Sequence, residues 1–104
     1  MIAHLVSFKY KAAATAAERA DHVEKLKGLV DVDGIVDFKV GEDLVHSPRS
    51  YDTGLVVLFR DRAALDAYAT NPRHVPVAQL GRELSESIVA VDFEVGDPER
   101  VARH

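Results

Sequence analysis

The sequence predicts an α+β protein of the ferredoxin-like class, in which a four-stranded antiparallel sheet carries its helices on one face. Four short segments have the alternating or continuously apolar patterns that are typical of strands, and two stretches between them repeat apolar residues at helical spacing. The order of these segments is β-α-β-β-α-β, with the second helical part split in two. In this topology the first and third strands are central, and these are the strands richest in apolar residues on both faces.

The first strand is predicted over residues 2–10, because its apolar residues recur at every second position. One face carries Ile2, His4, Val6, Phe8 and Tyr10, and the other carries Ala3, Leu5 and Ser7.

The first helix begins at a capping box, in which Thr15 and Glu18 each satisfy a free backbone N–H of the first turn. Helical spacing predicts that its buried side consists of Ala16, Ala20, Val23, Leu26 and Val30. Gly34 ends the connection to the second strand.

The second strand is predicted over residues 35–40, with Val36, Phe38 and Val40 inward and Asp37 and Lys39 outward. A polar loop covers residues 41–50. The third strand follows over residues 51–60, and its centre, residues 55–59, is apolar on both faces.

Asp61 is a predicted N-cap for a short helix over residues 62–70. Asn71 and Pro72 are predicted to begin the next helix, and Pro76 makes that helix irregular or restarts it. Its buried stripe is predicted to consist of Val77, Leu80 and Leu84, and the last strand covers residues 88–95. One face of that strand carries Val89, Val91, Phe93 and Val95.

Length and composition narrow the class of protein. The 104 residues suit one domain, predicted over residues 1–95, followed by a polar tail over residues 96–104. A net charge of −4 argues against nucleic acid as a partner, and no basic amphipathic helix suggests a membrane partner. The chain has no cysteine, which excludes disulfides, thiolate metal sites and a cysteine nucleophile. No signal segment is recognisable, so we expect a cytoplasmic protein.

The sheet is predicted to need a second copy of the chain. Helices can cover only one of its faces, while the central strands are apolar on both, and an open apolar face is unusual in a monomer. Packing two such sheets face to face removes that surface from water. The alternative is a monomer that uses the open face to hold a ligand.

Three residues could carry chemistry: His4 in the first strand, Tyr68 near the end of the short helix, and His74 at the start of the next one. The break at residues 71–72 could bring Tyr68 and His74 to one place. Histidine suits acid–base work near neutral pH, and a tyrosine hydroxyl can stabilise a carbonyl oxygen whose negative charge grows. Each of the three could instead be a core residue, which is the commoner role for a lone histidine on an apolar strand face such as His4. His22 and His46 are expected to be solvated.

No phosphate-binding glycine loop, nucleophile elbow or metalloprotease motif is present, and we expect neither a cofactor nor a metal. Asp31, Asp33 and Gly34 resemble the start of a calcium loop but lack its later ligands, so a turn is favoured.

The sequence resembles the stress-responsive dimeric α/β barrel (Dabb) family over residues 1–95. The residues that carry the resemblance are segments 2–9, 34–41, 52–59, 64–68, 71–74 and 91–93. Membership implies a ferredoxin-like protomer and a dimeric α/β barrel built from the two sheets of a homodimer. Most members of the family have no defined reaction.

Within that family the chain is similar to olivetolic acid cyclase, a plant enzyme that closes a linear polyketide by aldol condensation without a cofactor. The resemblance makes His74 the general base and Tyr68 the hydrogen-bond donor to the carbonyl, with His4 lining the ligand pocket. Val6 and Phe8 are expected to line the pocket as well. One position departs from the family pattern His-Pro-x-His: this chain has Asn71 in place of the first histidine.

Three hypotheses follow from these observations. The first is a homodimer that binds a small hydrophobic or carbonyl ligand. The second is a cofactor-independent polyketide cyclase or isomerase that uses His74 and Tyr68. The third is a structural, stress-related oligomer without catalytic activity.

Overall fold

The computed structural model describes residues 1–96 and contains four strands and three helices in the predicted order. The elements are β1 (Ile2–Tyr10), α1 (Ala16–Lys27), β2 (Ile35–Glu42), β3 (Thr53–Phe59), α2 (Arg62–Ala69), α3 (His74–Leu84) and β4 (Ser85–Glu94). The ferredoxin-like fold class is therefore confirmed. Of the predicted tail, only Gly96 lies within the described residues.

All strand pairs are antiparallel and the sheet order is β2-β3-β1-β4, so the first and third strands are central as predicted. Residues that lie opposite each other on paired strands share a face. His4 lies opposite Val57 on β3 and Asp92 on β4, and Val57 is fully enclosed by the helices. This fixes His4 and Asp92 on the helix-covered face of the sheet.

The other face of the sheet carries none of the helices formed by residues 1–96. Its apolar side chains on β3 and β4 are exposed, and they are Val56, Val89, Val91 and Phe93. They lie opposite Leu5, Ser7 and Ala3 of β1, which belong to the same face. We refer to this surface as the open face.

The capping box at the start of α1 is confirmed, because Thr15 and Glu18 exchange both hydrogen bonds. The predicted buried side of the helix is partly wrong: Val23 and Leu26 are buried, but Ala16, Ala20 and Val30 are exposed. The helix is rotated about its axis relative to the prediction, and His22, which was predicted to be solvated, is enclosed in the core. It also ends at Lys27, before Val30.

The inward position predicted for Val36 is wrong. A β-bulge lies between Ile35 and Asp37, so Val36 has no partner on β3 and is exposed. Ile35 takes its place on the helix-covered face, while Phe38 and Val40 pack against the core as predicted.

The second helical part is split as predicted, but α3 begins at His74 and not at Pro72. Residues 71–73 form a turn in which the Asn71 side chain accepts a hydrogen bond from the Arg73 N–H. Pro76 does not interrupt the helix, because it lies in the first turn, where backbone N–H groups have no intrahelical acceptor. Asp61 caps α2 as predicted.

The start of α3 is tied to the end of α1. The Arg73 guanidinium donates to the Gly28 carbonyl at 2.7 Å and to the Asp31 carboxylate at 2.6 Å, and this ion pair lowers the pKa of Asp31. Asp31 therefore helps to hold the start of α3 against the end of α1. None of the helices in residues 1–96 has the length and apolar character that crossing a membrane requires.

Candidate active site

Tyr68 is placed by the last turn of α2, which packs against β3. Its ring contacts that of Phe59, with 5.0 Å between centroids, and only 2% of the residue is exposed. The hydroxyl is buried and has no hydrogen-bond partner among the described residues. Burial raises the pKa of Tyr68 to about 12, so the hydroxyl keeps its proton and remains a donor.

His74 is the first residue of α3, and its ring lies against Tyr68 with 4.1 Å between centroids and 34° between planes. Its Nδ1 is 3.4 Å from the carbonyl oxygen of Ala69, the last residue of α2. A proton on Nδ1 faces that carbonyl, which leaves the Nε2 lone pair available. Burial lowers the pKa of His74, so the ring is neutral at neutral pH.

His4 reaches the same place from the sheet. Its ring is edge-on to Tyr68 with 6.2 Å between centroids, and its Nδ1 is hydrogen-bonded to the Asp92 carboxylate on β4. A carboxylate on one ring nitrogen fixes the tautomer and orientation of a histidine. The structure thus brings His4, Tyr68 and His74 together, and we refer to these three residues as the ring cluster.

Asp92 connects the ring cluster to the surface. It is exposed and lines a pocket of about 450 Å³ between the start of α2 and the end of β4. The other residues of this pocket are Ile2, Arg62, Leu65, Phe93 and Glu94. A small molecule held here would lie next to the His4–Asp92 pair.

The other predicted pocket residues, Val6 and Phe8, lie further along β1. Phe8 is four residues along the strand from His4, which is a distance of about 13 Å at a rise of about 3.3 Å per residue. Its buried ring packs on His22. Phe8 is thus a core residue beside His22 and does not belong to the ring cluster. Val6 is half-buried and packs against the core. His46 is exposed, as expected.

Sequence reasoning missed two polar features. Asp92 was not predicted as the partner of His4, although its position between the outward-facing Val91 and Phe93 already sets it on the opposite face. His22 was predicted to be solvated, yet it forms a buried hydrogen-bond chain with Tyr10 and Thr53. No pattern in α1 marks His22 as buried, because Glu18, Arg19 and Lys25, one helical turn away on the same side, are charged.

A family model for the Stress responsive A/B Barrel Domain (Dabb) matches residues 2–95. The chain belongs to this family. A search of curated proteins found no significant match.

Solved structures with the same fold include several dimers. A dimeric ferredoxin-like protein of unknown function from Jannaschia sp. CCS1 is 28% identical, with a TM-score of 0.77 over 90% of this Dabb chain and 98% of the other. A dimeric ferredoxin-like protein from Thermobifida fusca is 21% identical, with a TM-score of 0.84 over 90% of both chains. The hydroxynitrile lyase from Passiflora edulis is 17% identical, with a TM-score of 0.80 over 92% of this chain and 94% of that one.

Proposed function

We propose that this Dabb protein is a homodimer that binds a small carbonyl compound at the ring cluster and transfers protons at the carbon next to the carbonyl. The observation that carries the proposal is the Tyr68 hydroxyl, which is buried without a hydrogen-bond partner among residues 1–96 and lies beside a neutral histidine. Leaving a buried hydroxyl unpaired costs about 1–3 kcal/mol, and a ligand oxygen would remove that cost.

The proposed step assigns one role to each ring. Nε2 of His74 takes a proton from the carbon adjacent to the carbonyl, and the electron pair of that C–H bond moves onto the carbonyl oxygen. The Tyr68 hydroxyl donates a hydrogen bond to this oxygen as its negative charge grows. The enolate carbon then attacks a second carbonyl carbon of the same molecule, and protonated His74 returns its proton to the new alkoxide.

His4 and Asp92 complete the proposed site from the sheet side. Asp92 holds Nδ1 of His4, so that Nε2 of His4 is the nitrogen free to contact the ligand. A linear polyketide is the substrate class that fits this chemistry, since it has several carbonyl groups separated by acidic CH₂ groups. This assignment requires neither a cofactor nor a metal.

The homodimer is supported by the open face. Its exposed valines and Phe93 form a continuous apolar surface across β3, β1 and β4, which a second copy would cover. Neighbours of this fold from Jannaschia and Thermobifida fusca are dimers. The ring cluster lies on the helix-covered face, away from the second copy, whereas the pocket beside Asp92 shares Phe93 with the open face.

The test uses acetophenone, a ketone that cannot cyclise, and a linear aliphatic triketone, which can. We expect Tyr68→Phe to weaken acetophenone binding about tenfold, the value of one lost hydrogen bond. His74→Gln should lower the conversion of the triketone to a dihydroxytoluene, with loss of one water, at least about 100-fold. Binding is followed by amide chemical shifts and conversion by ultraviolet absorbance.

Tyr51→Phe is the matched control, because the Tyr51 hydroxyl is already bonded to Ser87 at 2.8 Å, away from the ring cluster. It should bind acetophenone like the parent chain. Equal binding by Tyr68→Phe and the parent would contradict the proposed site. If neither ketone binds the parent at millimolar concentration, the third hypothesis, a structural oligomer, is favoured.

A further inference from the structure

A second polar cluster lies in the core, at the other end of β1 from the ring cluster. The His22 side chain of α1 is 0% exposed, and its Nδ1 is 2.7 Å from the Tyr10 hydroxyl. That hydroxyl donates in turn to Oγ1 of Thr53 at 3.0 Å. With the Tyr10 proton directed to Thr53, Nδ1 of His22 carries the proton of the neutral ring and Nε2 carries the lone pair.

Nε2 of His22 has no hydrogen-bond partner among residues 1–96, and it points at α3. A Cβ placed on Gly81 would be 3.1 Å from this nitrogen and 3.1 Å from the Phe8 ring. Phe8 closes the other side, edge-on to the imidazole with 4.7 Å between centroids. The ring therefore fills a tight space bounded by α1, β1 and α3, in which the described residues offer no acceptor for a second proton.

The charged groups around this space do not compensate a positive ring. On α1 itself, Asp21 is the neighbouring residue, but it is exposed and paired with Lys25. Three charged residues lie on the far side of Tyr10. The Arg19 guanidinium is over the Tyr10 ring, and the charges of Asp52 and Glu42 raise the pKa of the Tyr10 hydroxyl. From α3 the group that faces His22 is Gly81, which has no charge, and from β3 it is the neutral Thr53.

We propose that His22 is an acid-sensitive contact that holds α1 and α3 on the sheet, and that its protonation loosens α3 and with it the ring cluster. A protonated ring would be a buried charge with an unpaired Nε2–H, so the ring must leave its space. The helix α3 links His22 to the ring cluster. Gly81, which lies against His22, and His74, which lies against Tyr68, both belong to it. This inference holds whether or not a carbonyl compound is the ligand.

The direction of the pH effect follows from burial, which lowers the pKa of His22 in the folded chain below its ordinary value of 6.5. In the unfolded chain His22 binds its proton near pH 6.5. The stability that neutral His22 contributes is therefore complete above that pH. It declines as the pH falls from there to the folded pKa.

The experiment compares thermal unfolding of the parent chain and His22→Phe between pH 7 and pH 5. Phenylalanine fills the same space but cannot take a proton. We expect the Tm of the parent to fall by about 5 °C or more over this range, and that of His22→Phe to fall by less, because, of the two histidines whose pKa is lowered by burial, only His74 then takes up a proton. His46→Phe is the matched control, because His46 is exposed. The change of its Tm between pH 7 and pH 5 should equal that of the parent chain.

Histidine and tyrosine ring resonances of the parent chain give a second measurement that needs no variant. His22 should titrate below its ordinary value of 6.5, and the Tyr68 ring signals should move with the titration of His22. Equal slopes of Tm against pH in the parent and His22→Phe would overturn the proposal. A His22 titration near pH 6.5, or Tyr68 signals that do not follow it, would overturn it as well, even if His22→Phe failed to fold.

Discussion

At the scale of single residues, the chemistry of the candidate site comes from burial. Tyr68 and His74 both have uncharged side chains at neutral pH, since burial raises the pKa of the phenol and lowers that of the imidazole. One is then a hydrogen-bond donor and the other has a free lone pair. A donor next to a base is the arrangement that enolisation requires.

The pKa of His74 gives a prediction for the pH dependence of turnover. We expect triketone conversion to be constant from neutrality to about pH 9, because Tyr68 keeps its proton over this range. Below the lowered pKa of His74 the rate should fall about tenfold per pH unit, since the protonated ring has no lone pair. The measurement is conversion against pH. A rate that rises as the solution becomes more acidic would contradict His74 as the base.

The candidate residues were predictable to different degrees. His4, Tyr68 and His74 could be named from the sequence, because the residue types and the break at Pro72 indicated a common place for the last two. The hydrogen bond between His4 and Asp92 depends on the register of β1 against β4, which local patterns do not determine. The burial of His22 depends on the space that Gly81 leaves on α3, a helix that is distant from α1 in the sequence.

At the scale of elements, the connection between α1 and β2 depends on Gly34. Its φ is +91°, in the left-handed region, and a Cβ there would be 2.5 Å from the Ala64 Cβ on α2. Gly34 also accepts a hydrogen bond from the Arg60 N–H at 2.9 Å, which ties this turn to the end of β3. The position of α2, and thus of Tyr68, relies on this close approach.

We therefore predict that Gly34→Ala destabilises the fold by about 3 kcal/mol, because it adds both backbone strain and a steric clash with α2. Gly41→Ala is the control: φ is not in the left-handed region there and a Cβ would meet no atom within 4 Å. Urea unfolding gives both free energies. A loss for Gly34→Ala no larger than for Gly41→Ala would contradict this account of the turn.

Elements with strong local signals were predicted well. The capping box at Thr15, the cap at Asp61 and the alternation of β1 each depend on neighbouring residues, and the structure agrees with them. The errors arose where tertiary packing decides. The bulge at Val36 and the start of α3 at His74 are set by how β2 meets β3 and by the bonds of Arg73 to α1.

At the scale of the whole molecule, the two faces of the sheet divide the proposed roles. The helix-covered face holds the ring cluster and the His22 cluster. The open face carries the surface that a second copy would cover. The apolar residues on both sides of β1 and β3 predicted that helices would cover one face of the sheet and a second copy the other.

A single charge on the open face should separate the two protomers. We predict that Val56→Glu makes the chain monomeric at micromolar concentration, because the carboxylate would be buried between the sheets. Within one protomer the introduced carboxylate would lie opposite Lys39 on β2, so the protomer itself tolerates it. Light scattering after size exclusion gives the mass.

Val75→Glu is the matched control, since Val75 is 46% exposed on α3 and Val56 is 45% exposed on the open face. Its mass should equal that of the parent chain. A parent chain with the mass of one protomer, or a Val56→Glu variant with the mass of two, would contradict the proposed dimer.

The outer ends of β1 and β4 meet beside the pocket. The Met1 ammonium donates to the Val95 carbonyl at 3.1 Å, and the adjacent residues Ile2 and Glu94 line the pocket next to Asp92. An affinity tag fused to Met1 would replace that ammonium with an amide and begin at the rim of the pocket. Ligand screening is therefore best done after the tag has been removed, because a fused tag could block entry and mimic an inactive protein.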